Sequence, residues 1–200
     1  MLDPLARRLI DPPLGVAASH LVRVGLSANA VTVAGFAVGL GAAGAIAFEH
    51  YLLGLLLFAL NRLADGLDGA IARIVGKTDL GGYLDIVLDF LVYGAIVLGF
   101  AAARPENALP ATLLLASYIG TGSTFLTFAI LAAKHGIETR ARGSKSLYYL
   151  GGLTEGTETI AFTVAVCLWP DGFPLLATLF AAACLITTAS RIAIAVRTFR

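Results

Sequence analysis

Six apolar stretches, each close to the ~20 residues a helix needs to cross a bilayer, fill most of this chain and leave few folds open to it. They run over residues 29–48, 51–75, 80–102, 108–134, 148–169 and 174–196. The breaks between them fall at EH, GKTD, ARPEN, HGIETRARGSKS and PDGFP, where turn formers and charges gather. With 58% hydrophobic and 14% charged residues, the chain is too apolar for a soluble domain of its size. The expected fold is an all-α membrane protein with six transmembrane helices. No repeat of fixed period, low-complexity tract or linker interrupts it, so residues 1–200 read as a single membrane-embedded domain.

Residues 1–25 differ from the rest. The segment MLDPLARRLIDPPLGVAASHLVRVG carries Arg7, Arg8 and Arg23, is broken by Pro12 and Pro13, and lacks the continuous apolar core of a signal peptide. It is expected to form an amphipathic helix along the membrane surface. Six crossings return the chain to its starting side. Arg7, Arg8, Arg23, Arg73, Lys77, Lys134, Arg140, Arg142, Lys145, Arg197 and Arg200 then share one side, and the short loops opposite hold Arg104. The positive-inside rule makes the basic side cytoplasmic. Both termini are expected there, in a bacterial or archaeal cytoplasmic membrane. A formal net charge of +1 gives no support to nucleic-acid binding. Cys167 and Cys184 sit in apolar runs without metal or redox spacing and read as packing residues.

Within this apolar background, NRLADGLDGAIARIVGKTDLGGYLDIVLDF, Asn61 to Phe90, places Asp65, Asp68, Asp85 and Asp89 between long hydrophobic runs. In an antiparallel hairpin turning near Lys77, Asp65 lies level with Asp89, and Asp68 one residue from level with Asp85. Asp65 and Asp68 (i, i+3) share a helix face, as do Asp85 and Asp89 (i, i+4). All four converge roughly 12–18 Å along each helix from the turn, in the cytoplasmic half of the membrane domain. Converging carboxylates repel and are costly to desolvate, and Arg62 and Arg73 supply only part of the compensation. Oxygen-only donors without His or Cys point to a hard divalent ion, Mg²⁺ above all with Mn²⁺ as the alternative, and the number of acids allows two ions. A pair of ions clamps the entering and leaving oxygens of a phosphate displacement. On spacing alone two other readings stand: a structural ion-pair network with the arginines, and the transit site of a six-helix ion or metal transporter. Gly66, Gly69, Gly81 and Gly82 flank the acids, which suits a bulky ligand near the backbone and equally suits close helix packing.

DGLDGAIAR followed by GGYLDIVLD resembles the signature of the CDP-alcohol phosphatidyltransferases, Asp-x-x-Asp-Gly-x-x-Ala-Arg and then Gly-x-x-x-Asp-x-x-x-Asp. Asp65, Asp68, Gly69, Ala72, Arg73, Gly81, Asp85 and Asp89 fill its constrained positions. The seven residues between Arg73 and Gly81 are one fewer than the pattern leads us to expect, and the shortening falls in the turn. The resemblance implies a phospholipid-synthesising enzyme that moves a phosphatidyl group from CDP-diacylglycerol to a small alcohol and releases CMP. It implies Asp65, Asp68, Asp85 and Asp89 as metal ligands, with Asp89 also the general base. Asp65, Asp68, Gly69, Arg73 and Thr78 are implied at the nucleotide. Family members are similar in forming homodimers.

The acceptor is less constrained. Members using inositol phosphate resemble one another in carrying basic residues in the fourth span and an ER-x-ER-like stretch opening the fifth. The matching stretches here, FAILAAKHG and GGLTEGTETI, hold no arginine, which speaks against an inositol phosphate acceptor. Lys134, Arg142, Lys145 and Arg191 are the candidate anion binders near the cytoplasmic face, and Arg191 lies inside the sixth span. Glu155 and Glu158, i and i+3 in the fifth span, are costly in lipid. They either pair with Arg191 or Lys145 or meet a cationic acceptor. On that basis an amino alcohol is expected slightly ahead of glycerol 3-phosphate, with Lys145, Glu155, Glu158 and Arg191 as acceptor contacts. Asn29 is expected to cap the first span. The small residues of GFAVGLGAAGAIA suit tight packing between helices or between subunits.

Overall fold

A computed structural model of the chain describes residues 3–137 and 152–200, with side chains from Pro12 onward. It divides into two compact units, Met1–Ala103 and Arg104–Arg200. The first holds α1 (Asp3–Arg23), α2 (Ala28–Ala47), α3 (Tyr51–Val75) and α4 (Asp79–Ala103). The second holds α5 (Ala108–Lys134), α6 (Gly156–Leu168) and α7 (Phe173–Thr198), with short 3₁₀ turns at Pro105–Asn107 and Pro170–Gly172 opening α5 and α7. Among the described residues every regular element is helical.

The second to fifth helices begin and end within a residue of the apolar stretches read from the sequence. Among the described residues four segments are long and apolar enough to cross a membrane: Ala28–Ala47, Asp79–Ala103, Pro105–Lys134 and Pro170–Thr198. Two of the six expected crossings stand apart from these. Helix α3 has the length, at 25 residues, but carries Arg62, Asp65, Asp68 and Arg73. The stretch expected over 148–169 starts outside the described residues, and its helix begins only at Gly156 and runs for 13 residues. That is roughly 20 Å of helix, short of the ~30 Å hydrocarbon core.

The late start of α6 has a local cause. Glu155 is extended and caps the helix, its side chain accepting from the Glu158 backbone N–H while Glu158 Oε2 accepts from the Glu155 N–H at 3.0 Å. The reciprocal pair is a capping box, which satisfies donors that a helix start leaves unbonded. Two further expectations change. Helix α1 runs through Pro12 and Pro13 instead of breaking there. Its Leu14, Ala18, Leu21 and Val22 pack on Leu67, Ala70 and Ile71 of α3 and Val31 of α2, contacts that favour keeping the helix despite two missing N–H donors. At the start of α2 the cap is Ser27, whose hydroxyl accepts from Ala30 N–H at 3.2 Å, while Asn29 sits in the first helical turn.

Helix α2 is the spine of the first unit, with α3 and α4 both packed along it. Glycine makes the approach close. A methyl group on Gly35 would lie 2.8 Å from Ala64 Cβ, and one on Gly39 would lie 2.6 Å from Val92 Cγ2 and 3.1 Å from Asn61 Nδ2. From the α4 side, a methyl on Gly99 would meet the Ala43 carbonyl oxygen at 2.5 Å. The small residues of α2 therefore pack helices within the unit. In the second unit α5 and α7 pack together, joined by Arg191 Nη1 donating to the Thr121 carbonyl at 3.0 Å. Phe162 of α6 stacks on Phe180 of α7 with ring centres 4.8 Å apart.

Gly39→Leu should lower stability by about 1–3 kcal/mol, the usual cost of overpacking a filled contact. Gly44→Ala, where an added methyl meets nothing within 4 Å, should be neutral or slightly stabilising through helix propensity. Thermal unfolding of the detergent-solubilised protein separates the two, and equal midpoints would mean that α2 does not pack as described.

Candidate active site

The packing of α3 and α4 on α2 determines which acids can meet. One carboxylate oxygen each from Asp65 and Asp68 of α3 and Asp85 of α4 lie within 4.8 Å of one another. They open onto a narrow cleft also lined by Thr32, Gly35 and Phe36 of α2, Asn61 and Arg62 of α3, and Leu88, Asp89 and Val92 of α4. Asp68 is buried, Asp65 half-buried and Asp85 exposed. The expectation that all four acids share one cleft therefore holds, but they divide three and one.

Asp89 lines the cleft outside the group of three and belongs to a separate polar knot. Its Oδ1 accepts a hydrogen bond from Arg62 Nη2. The same guanidinium donates from Nε and Nη2 to Asn61 Oδ1, at 2.9 and 2.6 Å, and from Nη1 to the Tyr93 hydroxyl at 2.8 Å. Its carbon lies 5.5 Å from the centre of the Phe58 ring and 4.9 Å from that of Tyr93, within range of a cation–π contact. Asn61 is anchored in turn, its Nδ2 donating to the Gly35 carbonyl at 2.9 Å. The sequence reading weighed Arg62 only as partial charge compensation and missed Asn61 and Tyr93. A signal was present: Tyr93 stands four residues after Asp89, on the same face of α4.

The acids fit a divalent cation on grounds internal to the structure. The donors are all oxygen, they converge, and Asp68 Oδ2 is buried with no hydrogen-bond partner. A buried acceptor left without a donor costs roughly 1–3 kcal/mol, and more when charged. Arg62 does not relieve this, since its nearest approach to the three is 3.9 Å, from Nη1 to Asp65 Oδ2.

The other expected site residues are more scattered. A methyl group on Gly69 would make an ordinary contact with Arg73 Nη1 at 3.7 Å. Arg73 is exposed in the last turn of α3. Thr78 just precedes α4, and its hydroxyl accepts from the Gly81 N–H at 3.0 Å. A methyl on Gly81 would lie 3.0 Å from that hydroxyl and 3.1 Å from Asn29 Oδ1, so glycine keeps this turn compact. In the second unit, Glu155 Oε1 also accepts from Gly152 N–H at 3.0 Å. Glu155 and Glu158 therefore order a helix start and do not line one face of a spanning helix as expected. Arg191 is buried at 7% exposure, with its guanidinium 5.7 Å from the Phe125 ring centre. Arg142 and Lys145 lie outside the described residues.

Mn²⁺ should therefore stabilise the folded chain, by about 2.7 kcal/mol at a hundredfold excess over its dissociation constant. Asp68→Asn should raise the ion-free thermal midpoint, because a neutral amide replaces a buried carboxylate with one oxygen lacking a hydrogen-bond partner, and should remove the Mn²⁺-dependent shift. A Mn²⁺ shift of wild-type size in Asp68→Asn would take this residue out of the ion site.

The family model for CDP-alcohol phosphatidyltransferases matches residues 25–195. Inner membrane protein YnjF of Escherichia coli (strain K12) is 49% identical over 193 residues, 96% of this chain and 94% of that protein. A phosphatidylinositol phosphate synthase of Mycobacteroides abscessus is 30% identical over 188 residues, 90% of this chain and 79% of the relative. The crystal structure of the Mycobacterium tuberculosis phosphatidylinositol phosphate synthase in complex with manganese and citrate aligns with a TM-score of 0.71 at 25% identity, covering 90% of this chain and 87% of that one. The same synthase with CDP-DAG bound shares the fold, at a TM-score of 0.71 and 23% identity over 90% of this chain and 92% of the other. The matched region contains every acid of the cleft, and from sequence pattern, fold and kinship together the chain belongs to the CDP-alcohol phosphatidyltransferase family, as an integral membrane transferase of phospholipid synthesis.

Proposed function

We propose that this transferase moves a phosphatidyl group from CDP-diacylglycerol to the hydroxyl of a small phosphorylated polyol and releases CMP. The observation that carries the reading is the convergence of Asp65, Asp68 and Asp85 beside Asp89 in one cleft, on the sequence pattern of a family whose model matches both units. The match also supports treating both units as one transferase domain. A transporter is not favoured, because the Gly69, Ala72 and Arg73 positions of the pattern have no part in ion transit.

Asp65, Asp68 and Asp85 would hold a divalent ion in this reading, while Asp89, bonded to Arg62, is left to take the proton. Manganese in the tuberculosis synthase supports the choice of ion, and Mg²⁺ offers the same hard-cation chemistry. The bound ion supplies charge neutralisation on the diphosphate and on the departing CMP. Asp65, Asp68, Gly69, Arg73 and Thr78 receive the nucleotide, Gly69 by leaving space and Arg73 by charge. The donor is taken from the tuberculosis synthase with CDP-DAG bound. The acceptor oxygen bonds to the phosphorus bearing diacylglycerol, the bond from that phosphorus to the CMP oxygen breaks, and the hydroxyl proton passes to a carboxylate oxygen of Asp89. The distribution of Lys and Arg supports a cytoplasmic cleft and cytoplasmic termini, and family resemblance supports a homodimer.

The acceptor preference shifts from the sequence reading. An amino alcohol needed the carboxylates of Glu155 and Glu158 to meet a cation, and both are engaged in capping α6. Two considerations favour an anionic acceptor. Relatives include phosphatidylinositol phosphate synthases and archaetidylinositol phosphate synthases, and Arg191 is a buried cation in the second unit. Lys145 remains a proposed acceptor contact from sequence alone. Glycerol 3-phosphate and inositol phosphate share the required chemistry, and the absence of arginine from GGLTEGTETI puts glycerol 3-phosphate first.

CMP release from CDP-diacylglycerol with Mn²⁺ or Mg²⁺ should appear with a phosphorylated polyol and be absent without divalent ion. Turnover with serine, choline or ethanolamine alone would refute the acceptor class and leave the transferase standing. Asp89→Asn should cut turnover by at least ~100-fold, the low end of what a positioned base contributes, because an amide takes no proton. Near wild-type turnover in that variant would move the base elsewhere.

A further inference from the structure

Arg62 stands at the junction of three helices in surroundings more ordered than charge compensation requires. Its side chain is 13% exposed. Asn61 binds two of its nitrogens and is itself tied to the α2 backbone at Gly35; Tyr93 of α4 accepts from a third; and the Phe58 and Tyr93 rings flank it. A guanidinium held only to offset the three converging acids would be directed at them. Its nearest approach to that group is 3.9 Å, whereas it donates a hydrogen bond to Asp89.

We propose that Arg62 is a positioning residue for the transfer step. It commits Oδ1 of Asp89, fixing the direction in which Oδ2 meets the acceptor hydroxyl and keeping that carboxylate from collapsing onto the group of three. The role rests on the assignment of Asp89 as the base given under Proposed function. Arginine suits it because a planar fork fixes orientation as well as charge, which a lysine ammonium does not. Asn61 and Tyr93 fix the fork itself, so a rigid α2–α3–α4 contact sets the aim of a carboxylate on α4.

The test uses the full chain in lipid nanodiscs and compares wild type with Arg62→Leu, Arg62→Lys and Tyr93→Phe. Steady-state CMP release gives kcat and KM, paramagnetic resonance gives Mn²⁺ affinity, and thermal unfolding reports on the fold. Arg62→Leu is expected to lower kcat roughly 10- to 100-fold, the scale of one lost charge-assisted hydrogen bond, with little change in KM for CDP-diacylglycerol. Its Mn²⁺ affinity should equal or exceed that of wild type, since a positive charge near the acids has been removed. Arg62→Lys should recover only part of kcat. Tyr93→Phe keeps the ring beneath the guanidinium and should lower kcat modestly with Mn²⁺ affinity intact, which keeps the test decisive if Arg62→Leu folds poorly. Wild-type kcat in both Arg62 variants overturns the role, as does a parallel loss of kcat, Mn²⁺ affinity and thermal midpoint in all three variants. Wild-type protein that binds Mn²⁺ but releases no CMP with any alcohol overturns the transferase reading and this role with it. An active wild type with unaffected variants overturns the role alone.

Discussion

Negative charge within apolar helices is the constraint on which the first unit depends. Three carboxylate oxygens within 4.8 Å repel one another, and one belongs to a buried Asp68 whose Oδ2 has no hydrogen-bond partner. Apolar surroundings raise the cost of each such group. The fold tolerates the arrangement because α2, with glycines at the contacts, lets α3 and α4 close on it from two directions. That geometry holds the acids together in spite of their charge, and it makes the cleft a place where a hard cation is strongly preferred to water. Stability and function oppose each other here, as expected where catalytic groups are held in a costly environment.

The fourth aspartate is treated differently, and the difference gives the site its chemical asymmetry. Asp89 has a permanent cation for a neighbour, itself hydrogen-bonded to Asn61 and within cation–π range of the Phe58 and Tyr93 rings. The other acids lack a comparable partner and are suited to an exchangeable ion. The proposed reaction calls for both kinds of carboxylate, one set to hold the diphosphate through a metal and one to take a proton. Two environments for chemically identical side chains fit those two roles.

Much of this was legible in the sequence, for identifiable reasons. Hydrophobic length set the helix boundaries, because every span of the first unit is bounded by charges or turn formers, and α3 matched residue for residue. The acids were found because Asp in an apolar run has few neutral explanations. The three-and-one division was not legible. It depends on α2 lying against both α3 and α4, a tertiary fact that a two-helix hairpin drawn on paper omits, and on Asn61 and Tyr93, which look unremarkable beside long apolar neighbours. The start of the fifth span was misplaced for a local reason: Glu155 and Glu158 were read as one face of a helix, whereas the same i, i+3 spacing serves a capping box that starts the helix at Gly156. Asn29 misled similarly, since Ser27 was equally able to cap α2 and does so.

The most direct test of the three-and-one site is the position of the ion itself. Crystals of the protein grown with Mn²⁺ would show it by anomalous scattering. The expected map has a peak within coordination distance of carboxylate oxygens of Asp65, Asp68 and Asp85, with the bond from Arg62 to Asp89 Oδ1 intact. A peak confined to other residues, or a saturating Mn²⁺ concentration that leaves these three carboxylates without density between them, would contradict it.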